Sequence, residues 1–534
     1  VPAEIELKLA IDPSAVAATL ATLPRHPALA SVRKGRWRTA TVQSTYLDTP
    51  DWQLAEAGLA LRVRRDGVRW LQTVKGPPLA DAGGALHARS EYEWPIAGPE
   101  LDPARLATTP WRALLGRAIA ARRLAARFTT EFERRTLHLA WPDGTRAALC
   151  IDVGEIRIAG RRRRGAPGGA RRVPIAEIEI ELASGNAANL FALAHALAVD
   201  LPISVSTANK AMRGQALVLG RPDGYASPVH AGPVALAGGI ATGAALQAIA
   251  LECIQQIAAN APGLLADDDP EWVHQMRIGT RRLRSCLGLA VKVVPAESLA
   301  PLVDDVKWLA TTLGNARDLD VFATETVPKF AARYAAETES TTDLLRLRAR
   351  IAARRRAARA AAREAVGSRR FQQLVLAAGA WCAAPGCGAP TNDGARVDAR
   401  AKPATKFARH VLERRHHRLL ERAEASTNGS AAARHRLRIA AKKLRYAAEF
   451  FAPLAQAKRS DPYVKALAGL QDLLGLANDA VTAERLIGEI AHADDHAVAA
   501  ALRGWAASRG AAVLPEIKTA LERFDAVRRF WKKR

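Results

Sequence analysis

The sequence predicts a multidomain α+β protein, a β-barrel followed by an all-helical region, and two observations predict it. Apolar residues recur with period two up to about residue 215 and with a helical period from about residue 240. The helical part also repeats itself, His274 of one copy matching His435 of the next. A chain of 534 residues, 49% hydrophobic and 25% charged, has the length and composition for more than one globular core.

In the first part, Ile5, Leu7 and Leu9 alternate with Glu4, Glu6 and Lys8, and Leu61 and Val63 with Arg62 and Arg64. Leu137 and Leu139 alternate with Thr136 and His138, and Ile178, Ile180 and Leu182 with Glu177, Glu179 and Glu181. Turns such as Asp66-Gly67 and Asp143-Gly144 separate the runs. An open sandwich would point these charges at water. Acids and bases share one face on segment after segment, however, and a barrel with charged faces inward and apolar faces under helices explains them together. Covering helices are expected near Pro13–Leu23, Pro103–Leu124 and Ala187–Leu197. Parity places Arg134 and Asp152 inside and Arg135 outside. Arg161–Arg164 reads as an exposed hairpin tip.

Buried carboxylates cost several kcal/mol each unless partnered. A divalent cation with oxygen ligands removes that cost, and Arg62, Arg64, Lys75, Arg134 and Lys210 supply inward positive charge. Such a cavity suits a metal bridging to a chain of phosphates.

Residues 216–239, rich in Gly, Pro and Ala, form the expected linker between domains at 1–215 and 240–534. The Gly/Pro-rich run Cys382–Arg400 divides the helical domain into repeats of about 240–380 and 401–534. On a helical wheel, His274, Arg277, Arg281 and Arg284 share one stripe beside the apolar Met276, Leu283 and Leu287. His435, Arg438, Lys442 and Arg445 form the second stripe. Like charges stacked along a helix repel. Asp318, Asp320 and Asp479 could relieve them, and so could a multivalent anion.

The net charge of +25 calls for a polyanionic partner without choosing among them. With 5% aromatic residues and no stacking platform or recognition-helix pattern, nucleic acid is disfavoured. Five unpatterned cysteines, including Cys382 and Cys387, point to a reducing compartment without structural zinc. No run of about 18 apolar residues is present, so no membrane span is expected. No signal peptide is visible, and the cytoplasm is the expected location.

Glu4-x-Glu6-x-Lys8 resembles the opening signature of the CYTH family, the triphosphate tunnel metalloenzymes. Arg62-x-Arg64, Thr73-Val74-Lys75, Arg89-x-Glu91-x-Glu93, Asp152, Glu177-x-Glu179-x-Glu181 and Asn209-Lys210 follow in that family's order. The repeated His-x-x-Arg-x-x-x-(Arg/Lys)-(Arg/Lys)-x-Arg motif resembles the CHAD domain. These resemblances imply an eight-stranded antiparallel β-barrel tunnel with covering helices, then two pseudo-symmetric four-helix bundles. They imply hydrolysis of inorganic triphosphate with Mg²⁺ or Mn²⁺, and polyphosphate binding by the helices, with polyphosphate granules as a possible setting. Carried over, Glu4, Glu6, Asp152, Glu177, Glu179 and Glu181 are metal ligands, and Glu4, Glu6 and Lys8 are catalytic. Lys8, Arg62, Arg64, Lys75, Arg89, Arg134 and Lys210 grip the triphosphate, and the eight residues of the two stripes contact polyphosphate. Two alternatives stay open: an organic triphosphate (thiamine triphosphate, or ATP cyclised to cyclic AMP), or binding of polyphosphate without catalysis.

Overall fold

The computed structural model of the protein describes residues 3–78, 86–158, 172–220, 227–337, 342–385, 394–426 and 430–532. Arg161–Arg164, Cys387 and residues 221–226 of the expected linker lie outside them. By contacts the chain forms two compact units. One comprises residues 1–230 with segments 251–268 and 368–388; the other comprises 231–250, 269–367 and 389–534.

The first unit is built on β1 (Ala3–Ile11), β2 (Arg33–Asp48), β3 (Ala60–Asp66), β4 (Arg69–Pro78), β5 (Leu86–Ile96), β6 (Ala125–Ala140), β7 (Arg146–Arg157) and β8 (Arg172–Ser184). Their order is β5-β4-β3-β2-β6-β7-β8-β1, and β1 also pairs with β5, which closes an eight-stranded antiparallel barrel. A short β9 (Ile203–Val205) adds to β1. Leu7, Leu9, Leu137, Leu149, Ile178 and Ile180 on the outward face are buried. The inversion of an ordinary sheet is therefore real: grease faces out under helices and charge faces in.

Helix Ala188–Asp200 covers part of that outer face with Leu190, Phe191, Leu193 and Leu197, all buried. Helices Val16–Thr22, Pro103–Leu106 and Arg112–Ala120 occupy the other expected covering segments. Helix Arg369–Ala383 packs in the same unit against Ala188–Asp200. A Cβ on Gly379 would lie 2.2 Å from the Phe191 ring, so only glycine permits this approach.

Helix Lys210–Leu219 packs against one end of the barrel, where Tyr46, Trp52, Phe128, Phe132, Ile156 and Ile175 form a core cluster. Its approach needs Gly214, because a Cβ there would fall 2.1 Å from Phe128. Asn209 caps the helix by accepting from Met212 N at 2.9 Å, which fixes where Lys210 enters the barrel.

In the second unit the repeat is structural. Helices Pro270–Ala290 and Ala431–Phe451 carry the two motifs, each 21 residues long. Each is followed by a long helix, Ala296–Val321 and Ala457–Ile490. The described cysteines Cys150, Cys253, Cys286 and Cys382 are buried. No described helix is long and apolar enough to cross a membrane.

Candidate active site in the barrel and cation cluster in the helices

Register decides what meets what inside the barrel. Glu4 lies opposite Arg89 of β5, Glu6 opposite Glu181 of β8, and Lys8 opposite Glu179. Glu177 lies opposite Asp152 of β7, which lies opposite Arg134 of β6. A cavity of about 220 Å³ is lined by Glu4, Glu6, Lys8, Glu179 and Glu181, by Arg62, Arg64, Lys75, Arg89, Arg134 and Lys210, and by further groups named below.

The acids divide into two sets with opposite charge balance. In the deeper set, one oxygen each from Asp152, Glu177 and Glu179 lie within 4.8 Å of one another, and all three residues are buried. Cations already fill this set. Lys210 Nζ donates to Asp152 at 2.7 Å and to Glu179 at 3.0 Å, and also to Glu177. Arg134 forks onto Asp152 at 2.7 and 2.6 Å and reaches Glu179. Lys8 bonds Glu179 and lies 3.1 Å from Glu6. Burial alone would raise the Glu179 carboxyl, but Lys210, Lys8 and Arg134 hold it well below the usual carboxylate range. Lys210 is likewise pushed up despite burial, by Asp152, Glu177 and Glu179.

The sequence reading counted Asp152 and Glu177 among metal ligands and Lys210 and Arg134 among phosphate grips. In the structure these residues also bond one another, because Lys210 enters from the end helix and sits between the acids. The trio is close enough to hold a metal ion, and Lys210, Arg134 and Lys8 share its oxygens.

The second set is Glu4, Glu6 and Glu181, with Glu91 nearby. Here Lys75 bonds Glu4 and lies 3.5 Å from Glu91. Lys8 lies 3.1 Å from Glu6 and Arg62 3.5 Å from Glu91, which leaves Glu181 without an ion-pair partner among the described residues. Burial, then Glu4 and Glu6, push the Glu181 carboxyl up to about 7, with Lys75 opposing and Glu91 adding. Among the lining guanidinium groups the imbalance is reversed. Burial, then Arg62, push Arg64 down although Glu93 sits 2.9 Å away, and burial pushes Arg89 down despite Glu6 and Glu4. The buried Nε atoms of Arg62 and Arg64 have no hydrogen-bond partner among the described residues. One cavity thus holds an acid, Glu181, without an ion-pair partner and two guanidinium groups, Arg64 and Arg89, that burial pushes down, while Tyr46, Glu91 and Glu4 hold Arg62 up against burial.

Of the polar, charged and aromatic lining residues, the sequence assigns no role to Tyr46, Glu91, Glu93, Phe132 and Asn209. Glu91 and Glu93 share parity with Arg89 and could have been found by it. Tyr46 could not, since only pairing with Arg62 brings it in.

The two stripes of the helical unit act on each other. Burial, then Arg281, Arg438 and Arg277, push Lys442 down to about 6. The same mutual repulsion, after burial, lowers Arg277 and Arg438. Arg281 of the first copy lies 5.8 Å from the Tyr446 ring of the second. His274 is lowered by burial and then by Arg317, and its Nδ1, Arg281 Nη2 and Arg438 Nε are buried without a hydrogen-bond partner among the described residues. Arg284 and His435 are exposed, and Arg445 pairs with Glu449 at 2.7 Å, so the expected eight contacts are not one set. Asp318 bonds Arg277 at 3.3 Å, but Asp320 serves Arg355 and Arg359 instead. Asp479 acts on Arg438 and is itself raised by burial.

Comparison with known proteins follows the same division. The CYTH domain model matches residues 2–214, and the CHAD domain model matches residues 248–488. An inorganic triphosphatase of Haemophilus influenzae is 32% identical over 219 residues, 40% of this chain and 54% of that protein. The chain therefore spans about half the length of the curated relative it matches. The solved CHAD domain of the plant Ricinus communis aligns at 35% identity, covering 57% of this chain and 98% of that one, with a TM-score of 0.48. A putative adenylyl cyclase from Hippeastrum, described as having a dominant triphosphatase activity, aligns at 18% identity over 41% of this chain and 96% of its own, with a TM-score of 0.27.

Proposed function

Because the chain joins a CYTH domain to a CHAD domain, we propose that its barrel hydrolyses inorganic triphosphate to diphosphate and phosphate, and that its helical domain binds polyphosphate. The observation that carries the first part is the paired imbalance inside one cavity: Glu181 raised to about 7, and Arg64 and Arg89 lowered. A cation and a polyanion bound together relieve both; neither alone does.

Glu4, Glu6 and Glu181 are the ligands of the divalent cation in this reading. Their hard oxygen donors, Glu181 having no ion-pair partner among the described residues, fit Mg²⁺ or Mn²⁺. A cation held there withdraws charge from the phosphate oxygens. Arg62, Arg64, Arg89 and Lys75 bind the remaining oxygens, the guanidinium forks matching pairs of them. Lys8, held between Glu6 and Glu179, keeps Glu6 in place. Phosphoryl transfer asks for this kind of positioning and charge neutralisation.

A second reading has its own observation. A cavity of about 280 Å³, lined in part by Trp52, Phe128 and Leu61, shares Tyr46, Ala60, Arg89, Asn209 and Ala211 with the first. It offers an apolar annex for the organic part of a thiamine or adenosine triphosphate. A panel of tripolyphosphate, thiamine triphosphate and ATP separates the readings. Tripolyphosphate is expected to give the highest kcat/KM; preference for either organic substrate would transfer the assignment to the annex.

For the helical domain, the carrying observation is the shared repulsion of Arg277, Arg281, Arg438 and Lys442. A polyphosphate chain relieves it and draws a proton onto Lys442, so affinity should rise as pH falls from 8 to 6. Arg281→Ala should weaken binding of long-chain polyphosphate by the full chain about ten-fold and flatten its salt dependence. Unchanged affinity in a gel shift would remove this site.

A further inference from the structure

A second cavity of about 540 Å³ opens at the end of the barrel formed by the start of β2, the end of β6, the start of β7 and the end of β8. Lys34, His138, Arg146 and Glu181 line it together with alanines, among them Ala140 and Ala148. Register joins these positions into one row: Lys34 pairs with His138, His138 with Ala148, Ala148 with Glu181, and Glu181 with Glu6. The small side chains at Ala140 and Ala148 leave this end of the barrel open. Glu181 lines both cavities, so they meet at that carboxylate. Lys34, His138 and Arg146 are exposed, and none forms an ion pair among the described residues.

We propose that this opening binds inorganic orthophosphate and is the door through which it leaves the barrel. The inference rests on the triphosphatase reading. In that reaction an O–P bond forms from water and a bridging P–O bond breaks. Diphosphate takes the bridging oxygen, orthophosphate takes the water oxygen, and the water's proton is lost to the products or solvent. Diphosphate remains on Arg62, Arg64 and Arg89. Orthophosphate is freed beside Glu181, where the two cavities meet, and Lys34 and Arg146 beyond draw it outward. Separate doors let the small product leave without waiting for the larger one.

Product inhibition of the full chain tests this, using the double charge reversal Lys34→Glu with Arg146→Glu at two exposed positions. In the wild type, orthophosphate should inhibit non-competitively against tripolyphosphate, and diphosphate competitively. In the variant the orthophosphate inhibition constant should rise at least about five-fold, with kcat/KM for tripolyphosphate and inhibition by diphosphate held within about two-fold. Competitive inhibition, no inhibition, or an unchanged constant would overturn the proposal. If the wild type does not cleave tripolyphosphate, the triphosphatase reading fails by itself. Calorimetric titration of orthophosphate into both proteins then decides the second site: binding weakened in the variant supports it, and equal or absent binding overturns it.

Discussion

Replacing Lys210 with methionine should destabilise the barrel by about 3–5 kcal/mol, the cost of removing one partner from a buried ion cluster. Lys210 is 6% exposed and bonds Asp152, Glu177 and Glu179, none of which is more than 6% exposed. Lys8 and Arg134 remain, but both reach Glu179, and only Arg134 reaches Asp152. Glu177 keeps Arg213 alone, at 3.6 Å. The variant's acids would therefore be raised in the folded state relative to the unfolded chain. That penalty is full at neutral pH and shrinks as pH falls and the carboxyls protonate. Urea unfolding at pH 7.5 and at pH 5 should show a large loss at the first and a smaller one at the second. A variant as stable as wild type at pH 7.5 would mean that the deeper acids have another partner.

Glu181→Gln should produce the opposite pairing of effects: a more stable metal-free protein and a nearly inactive one. Its carboxyl is raised to about 7 in the fold, above the ordinary value of 4.5. An acid raised on folding favours the folded state while protonated, and the advantage is lost as pH climbs from the unfolded value to the folded one. Glutamine removes that loss, so the variant should melt higher than wild type at pH 8 and equally at pH 4.5. Removing a ligand of the proposed cation should meanwhile cut tripolyphosphate turnover at least about 100-fold, the scale of losing one major electrostatic contact to the transition state. Stability and activity moving in opposite directions is the signature of a functional group held at a cost. Lower stability at pH 8 would place a cation of the protein's own beside Glu181.

The barrel was legible because parity is a local property. Leu7 and Leu9 out, Glu6 and Lys8 in, follows from neighbours in sequence, and so does Arg134 inside with Arg135 paired to Glu133 at the surface. The partition of the acids was not legible. It depends on a lysine at position 210, reaching a trio whose members lie 31 to 58 residues earlier, and on a helix angle set by Gly214 against Phe128. No run of sequence encodes that distance. The same limit applies in the helices. Each stripe could be drawn on a wheel, but a wheel shows one helix at a time. That Arg281 of one copy would crowd Lys442 of the other, while Arg284 and His435 face solvent, emerges only from packing.

Where the divalent cation sits distinguishes the two acid sets, and equilibrium binding of Mn²⁺ at pH 8, read from the electron paramagnetic resonance of the free ion, measures it directly. Wild type and Glu177→Gln should bind Mn²⁺ with similar affinity, and Glu181→Gln should lose it. Binding that survives Glu181→Gln and disappears in Glu177→Gln would contradict the charge balance on which the proposed chemistry rests.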